Sequence, residues 1–80
     1  MIEVYSNTLT CEPCRNLHAY LKENNIEFAD YDIGTEDPIK KVDAKKKHYK
    51  YKVKHYPTVV IDGIEIIGFD KDKIAQLLGL

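Results

Sequence analysis

The sequence predicts one α/β domain over residues 1–80, built as a four-stranded mixed sheet flanked by helices. Strand-like apolar runs alternate with stretches of helical spacing in the order β-α-β-α-β-β-α. A strand-helix-strand unit opens the chain, and such a unit requires a right-handed crossover between parallel strands. The Asp62-Gly63 pair predicts a two-residue hairpin, whose strands are antiparallel. A parallel pair and an antiparallel pair together make the sheet mixed.

The first half of the chain supplies two strands and the helix between them. Ile2 and Val4 mark a short buried strand, and the stretch 26–33 marks a second one that Gly34 ends. The helix starts at the first cysteine and runs to about Asn24. Its predicted inner face holds the residues at helical spacing, which are Cys14, Leu17, Tyr20 and Leu21.

The second half begins with a helix whose start is well marked. Asp37 is the expected N-cap, and Pro38 occupies the first helical position, where no backbone N–H is needed. Ile39, Val42 and Tyr49 keep a helical spacing, and the helix ends between 47 and 54. We therefore expect an amphipathic helix with these three residues turned inward.

A hairpin and a last helix complete the chain. Residues 58–61 form a buried strand, and residues 64–67 form the strand that returns beside it. Asp70 is the expected cap of the final helix. The predicted inner face of that helix carries Ile74, Leu77 and Leu78.

Composition and cysteine count limit the class of protein. Two cysteines are too few for the disulfide framework of a small secreted domain. No apolar run approaches the ~20 residues that span a bilayer, and the N-terminus lacks the basic flank and apolar core of a signal peptide. We therefore expect a soluble cytoplasmic monomer that does not bind membranes.

The net charge of −1 hides an uneven distribution. Residues 38–56 carry eight lysines against one acid, Asp43, whereas the rest of the chain carries twelve acids against four cations. We name residues 40–54 the lysine-rich segment. It is interpreted as a solvated helix face, as a docking surface for an acidic protein, or as a nucleic-acid site in which Tyr49 and Tyr51 stack on bases. The near-neutral overall charge favours the solvated face over nucleic-acid binding.

Cys11 and Cys14 are the only cysteines, and they form a C-x-x-C pair where the first strand gives way to the first helix. In a protein that is not secreted, this pair indicates a thiol–disulfide redox site. Unpaired backbone N–H groups and the helix dipole stabilise a thiolate at Cys11. Cys14 lies one turn further along, close enough to bond to the first sulfur.

Four segments of the chain carry a resemblance to a known family. They are Val4-Tyr5-Ser6, Cys11-Glu12-Pro13-Cys14, Tyr56-Pro57-Thr58, and Gly68-Phe69 followed by Asp72-Lys73-Ile74. With these segments the chain resembles the glutaredoxins, and more closely the glutaredoxin-like redoxins of the NrdH type, over essentially its whole length. The resemblance implies the thioredoxin-like fold and a thiol–disulfide oxidoreductase.

The resemblance also implies roles for individual residues. Cys11 is the expected nucleophile that attacks a substrate disulfide, and Cys14 is expected to resolve the mixed disulfide. The expected substrates are protein disulfides, such as that of ribonucleotide reductase, and no bound cofactor is expected. Pro57 is expected to be cis and to face the cysteine pair. The residues expected to bind the substrate or glutathione are Tyr56, Pro57, Thr58, Gly68, Phe69 and Asp70.

The electron donor is left open because the chain departs from glutathione-using relatives at two places. Those relatives carry a lysine shortly before the first cysteine, whereas residues 7–10 offer no cation. They also carry two glycines and two acids after the hairpin, of which this chain keeps Gly68 and Asp70. Two reductants are therefore considered. One is glutathione, with glutathione reductase, and the other is thioredoxin reductase.

Two other functions remain as alternatives to the redox function. One is a metal carrier, in which the cysteines bind zinc with His18 and either His48 or His55, or share an iron–sulfur cluster between two chains. The other is a non-catalytic binding module that uses the lysine-rich segment. Ligands on one continuous helix seldom close around a structural metal, so we expect no metal site and expect His18 to face solvent.

Overall fold

The computed structural model describes residues 1–80 and contains seven elements in the predicted order. The strands are β1 (Ile2–Ser6), β2 (Ala29–Asp32), β3 (Thr58–Ile61) and β4 (Ile64–Ile67). The helices are α1 (Glu12–Glu23), α2 (Pro38–Tyr51) and α3 (Lys71–Leu78). None of these helices is both long enough and apolar enough to cross a membrane. The second strand starts later than predicted because Ile26 still closes the end of α1, where its N–H donates to the carbonyl of Leu21 at 2.9 Å.

The sheet has the strand order β2-β1-β3-β4. β1 is parallel to β2 and antiparallel to β3, and β3 pairs with β4 as the predicted hairpin. Asp62 and Gly63 turn the hairpin with positive φ angles of 48° and 84°, as a tight two-residue turn requires. The predicted four-stranded mixed sheet is confirmed.

One face of the sheet carries the aliphatic core. Side chains alternate between the two faces along a strand, and the aligned residues Val4, Val59 and Ile66 point to the same side. They pack against α1 and α3, with Leu78 partly buried at the margin. The helix residues of this cluster are the fully buried Leu17, Leu21 and Ile74. Burial of each such side chain contributes about 1.5–3 kcal/mol to stability.

The predicted caps of α2 and α3 are confirmed. Asp37 accepts two backbone hydrogen bonds at the start of α2, and Asp70 accepts one from the N–H of Lys73 at 3.2 Å. The inner face of α3 is narrower than predicted, because Leu77 and Leu78 flank Ile74 on opposite sides and only Leu78 packs against the core. Ile74 lies at its centre, whereas Leu77 is 37% exposed, so the prediction that Leu77 is buried is wrong.

The opposite face of the sheet is covered by α2. Tyr5, the neighbour of Val4 on β1, points to this side. Its ring centroid lies 5.5 Å from that of His48 and 4.7 Å from that of Tyr51. Aromatic and polar groups therefore fill this layer, in contrast to the aliphatic layer under α1 and α3.

The prediction that Ile39, Val42 and Tyr49 pack inward is wrong, because they are 82%, 55% and 88% exposed. The inner side of α2 instead follows Ala44, His48 and Tyr51, which are spaced i, i+4 and i+7. These three residues lie on the other side of the helix from Ile39 and Val42. α2 ends at Tyr51, within the predicted interval 47–54.

Candidate active site

Cys11 is the N-cap of α1, and Cys14 lies in the first helical turn. The backbone of Cys11 is extended, with φ −119° and ψ 105°, which turns its side chain toward the free N–H groups of the helix. Its Sγ accepts a hydrogen bond from the N–H of Cys14 at 3.2 Å. The two Cα atoms are 5.3 Å apart, and the two sulfurs form a disulfide. The predicted place of the pair at the start of the first helix is confirmed.

The two sulfurs differ in their access to solvent. Cys14 has no exposed surface, because it lies on the same inner side of α1 as Leu17 and Leu21. Cys11 is partly exposed, and the residues between the two cysteines are exposed. A reactant arriving from solvent therefore meets Cys11 first.

The Tyr56-Pro57 segment lies at the same end of the sheet as the cysteine loop. Thr58 pairs with Tyr5 across β3 and β1, so Pro57 continues the strand beside Ser6, the last residue of β1. The Tyr56–Pro57 peptide bond is cis, as expected from the resemblance. Pro57 is buried, whereas Tyr56 is 40% exposed.

Gly68, Phe69 and Asp70 adjoin the Pro57 segment. The N–H of Gly68 donates to the carbonyl of Pro57 at 2.8 Å, and the φ of Gly68 is 80°, a conformation that favours glycine. The ring of Phe69 lies 5.6 Å from that of Tyr20, and Asp70 is exposed at the start of α3. Because β4 ends where β3 begins, the three predicted segments meet at one end of the sheet.

Asp32, at the end of β2, fixes the loop before Cys11 through hydrogen bonds. It was not among the site residues predicted from the sequence. Its carboxylate accepts hydrogen bonds from the Thr8 N–H at 2.9 Å, from the Thr8 hydroxyl, and from the Gly34 N–H at 2.8 Å. Burial alone would raise the pKa of Asp32, but the hydrogen bonds from Thr8 and Gly34 outweigh it and lower the pKa. Two of the four residues of β2 are aspartates, Asp30 and Asp32, so an acid at this place in the sequence does not by itself distinguish Asp32.

Two further contacts fix the same loop. A Cβ atom on Gly34 would lie 2.6 Å from Asn7 Oδ1 and 2.6 Å from the backbone nitrogen of Leu9, so only glycine allows this close approach. Arg15 Nη1 donates to the carbonyl of Thr8 at 2.8 Å. The loop has no cation of its own, but α1 brings one to it.

His18 is buried, which corrects the expectation that it faces solvent. It is 8% exposed, since it lies one turn after Cys14 on the buried side of α1. Its Nε2 lies 3.1 Å from Ser6 Oγ and 3.3 Å from Asp30 Oδ1. Both oxygens approach the same nitrogen, so the trio is not the relay of a serine hydrolase, which uses both ring nitrogens. Burial raises the pKa of Asp30, and the His18 ring offsets only part of this effect.

The zinc alternative finds no ligand set in the structure. No three His, Cys, Asp or Glu side chains are grouped so that they could hold a metal ion. His48 directs its Nδ1 to the carbonyl of Ala44 at 2.7 Å, and His18 directs Nε2 to Ser6. Neither histidine is therefore arranged with the cysteines as a ligand.

Comparison with known proteins points to one family. The family model named Glutaredoxin matches residues 2–66 of this chain. An uncharacterized glutaredoxin-like 8.6 kDa protein in the rubredoxin operon of Clostridium pasteurianum is 36% identical over 78 residues. The match covers 98% of this chain and 97% of that protein.

Solved structures agree with this result. The thioredoxin-like protein BC3987 is 36% identical, with a TM-score of 0.71 over 96% of this chain and 99% of that one. The methanoredoxin of Methanosarcina acetivorans has a TM-score of 0.73 over 99% of this chain and 84% of that one; at 23% identity it supports the fold alone. The predicted thioredoxin-like fold is thereby confirmed. With its family match over most of its length and a relative of this similarity, the chain belongs to the glutaredoxin family.

Proposed function

We propose that this protein is a dithiol thiol–disulfide oxidoreductase that carries electrons to protein disulfides. The observation that carries the proposal is the unequal access of two bonded sulfurs at the start of α1. Cys11 is partly exposed at the helix N-terminus, and Cys14 is fully buried behind it. Membership of the glutaredoxin family supports the same chemistry.

In the reduced protein, the Cys11 thiolate attacks one sulfur of a substrate disulfide. An S–S bond forms between Cys11 and that sulfur, the substrate's own S–S bond breaks, and its second sulfur leaves as a thiolate. The start of α1 supports the attacking anion, because unpaired N–H groups and the positive end of the helix dipole lie there. The N–H of Cys14, 3.2 Å from Cys11 Sγ, is one of these donors.

Cys14 then resolves the mixed disulfide. Its thiol gives up a proton and attacks Cys11 Sγ, which releases the substrate's remaining bonded sulfur as a thiolate and leaves the Cys11–Cys14 disulfide. The substrate gains two electrons and the protein loses two. The Cα separation of 5.3 Å is within the range of disulfides, so the second bond forms without a backbone rearrangement.

The segment around Pro57, at the same end of the sheet as Cys11, supplies the binding residues of the proposal. The backbone around Pro57 pairs with an extended substrate or with glutathione in the manner of a strand. Tyr56 and Thr58 flank this backbone, and Gly68, Phe69 and Asp70 lie beside it. One Asp70 oxygen caps α3, which leaves the second for an ammonium group such as that of glutathione.

One observation favours glutathione with glutathione reductase as the reductant over thioredoxin reductase. Glutathione-using relatives carry a lysine shortly before the first cysteine, and this chain has none there. Arg15 brings a guanidinium group to the same loop, where it donates to the carbonyl of Thr8. A cation at this place suits the carboxylates of glutathione.

The test is the oxidation of NADPH coupled to reduction of a small disulfide, with the two reductant systems run in parallel. Cys11→Ser is expected to abolish turnover, because it removes the attacking sulfur. Cys14→Ser is expected to accumulate a Cys11–substrate mixed disulfide that mass spectrometry detects. Turnover that survives Cys11→Ser would overturn the proposal, and activity with thioredoxin reductase alone would overturn the choice of glutathione.

A further inference from the structure

The outer face of α2 carries an apolar stripe that no part of the chain covers. Ile39, Val42 and Tyr49 are 82%, 55% and 88% exposed. Single exposed apolar side chains are ordinary, but a contiguous row of them indicates an interaction surface. Lys46, also exposed, lies between Val42 and Tyr49, and its aliphatic stem continues the row. We name these four residues the α2 stripe.

The spacing of the α2 stripe suits a second helix. Residues 39, 42, 46 and 49 follow the pattern i, i+3, i+7, i+10, which keeps them on one face of a helix. The same spacing forms the seam between two helices packed side by side. The 14 residues of α2 extend over about 21 Å, enough for a contact of about four turns.

The charge around the stripe decides which helix fits. Lys45 borders it on one side and Lys50 on the other, where Asp43, the one acid among the eight lysines of the segment, lies next to Ile39. A second copy of α2 would oppose lysines to lysines, which disfavours self-pairing. A nucleic acid would pair with the lysines but leave Ile39 and Val42 without a partner. An acidic helix with apolar residues along one side matches both the stripe and its border.

We propose that the α2 stripe docks an acidic amphipathic helix of a partner protein. The site lies on the side of the sheet away from α1, since Tyr5 faces α2 while Val4, its neighbour on β1, faces α1. Cys11, at the start of α1, therefore stays accessible while the partner is bound. The inference goes beyond the proposed redox chemistry, because it assigns a separate surface for recruitment.

The first arm of the test measures binding of designed peptides to the full-length protein by fluorescence anisotropy. The probe is a labelled amphipathic helix of about three heptads, with Leu at the seam positions and Glu at the flanking positions. A matched peptide carries Lys at the flanking positions. We expect the Glu peptide to bind at least about tenfold more tightly, and to weaken as salt rises from about 50 to about 500 mM.

The second arm uses variants of the stripe. Ile39→Ser, Val42→Ser and Tyr49→Ser combined are expected to weaken the Glu peptide by about tenfold or more. The matched control is Ile64→Ser with Leu80→Ser, which removes exposed apolar side chains elsewhere and is expected to leave the affinity unchanged. Turnover of a small disulfide is expected to stay the same in both sets, which separates this inference from the proposed redox function.

Backbone amide shifts of the parent protein give a readout that needs no variant. The Glu peptide is expected to shift the amides of α2 and to leave those around Cys11 unchanged. Equal affinity for the two peptides, or unchanged affinity in the stripe variant, would overturn the inference. So would tighter binding to a DNA duplex or to phosphatidylserine vesicles than to the Glu peptide, or dimerisation of the protein through α2.

Discussion

Asp32 and Asp30 are two residues apart on β2, yet their carboxylates lie in opposite environments. Asp32 receives hydrogen bonds from Thr8 and Gly34, which lower its pKa despite burial. Asp30 is partly buried beside His18 without comparable donors, and burial raises its pKa. Folding therefore favours the ionised form of Asp32 and disfavours the ionised form of Asp30.

Asp32→Ala is expected to lower the free energy of unfolding by about 1–3 kcal/mol at pH 7, because the donors of Thr8 and Gly34 lose their acceptor. Asp30→Asn is the matched control on the same strand, where the side chain is 44% exposed. We expect it to stay within about 0.5 kcal/mol of the parent. Urea unfolding measures both variants, and equal losses would contradict the distinction.

The effect of Asp32→Ala also depends on pH with a defined sign. The folded-state pKa of Asp32 lies below the unfolded value of about 3.9. Its stabilisation is therefore complete above the unfolded value and is lost as pH falls through the folded-state pKa. The difference in unfolding free energy between parent and variant is expected to be constant from about pH 7 to 5 and to shrink below about pH 4. A difference that persists to about pH 2 would argue against an ionised Asp32 as its source.

At the scale of elements, the connection between β2 and α2 packs closely against the loop before Cys11. Gly34→Ala is expected to displace Asn7 and Leu9, because the new Cβ lies 2.6 Å from an atom of each. We expect a loss of about 1–3 kcal/mol in stability and of about tenfold in the rate of disulfide turnover, since Cys11 is misplaced.

The control for Gly34→Ala is Gly79→Ala. Gly79 has a φ of 72°, so alanine there is strained, but a Cβ would meet nothing within 4 Å. It is expected to lower stability by about 1 kcal/mol and to leave turnover unchanged. Parallel losses of turnover in the two variants would mean that stability alone controls the rate.

Local signals explain which features of the elements could be predicted. Asp37 and Asp70 mark helix starts through bonds to residues within one turn, so no tertiary information is needed. The inward face of α2 is different, because it depends on which side chains fit against Tyr5. Ile39 and Val42 keep helical spacing whichever side of α2 faces the sheet. The spacing alone therefore does not show which side is buried.

The candidate site also combines residues marked by local sequence with residues brought together only by the fold. Cys11 and Cys14 could be found in the sequence, since their chemistry is carried by two residues three positions apart. The contact between Asp32 and Thr8 joins residues 24 positions apart, and Arg15 reaches the loop from another element. Such contacts exist only once the sheet has formed, so residue order carries no mark of them.

At the scale of the whole molecule, the two faces of the sheet differ in how many apolar side chains are buried against their helices. The face toward α1 and α3 carries the cluster of seven buried aliphatic residues. The face toward α2 has Ala44 and His48 as the buried residues of the helix. We therefore expect α2 to open locally at a lower free energy than global unfolding, while β1 and α1 exchange their amides only through global unfolding.

Two substitutions separate these modes in native-state hydrogen exchange. Leu21→Ala is expected to remove about 2–5 kcal/mol from the protection of β1 and α1, because it leaves a cavity in the aliphatic core. Ala44→Gly is expected to remove about 1 kcal/mol from the protection of α2 alone. Loss of protection in all elements after Ala44→Gly would place α2 in the global unit. A helix that opens on its own is also the one whose exchange a partner on its outer face would slow, so the same amides report occupation of the α2 stripe.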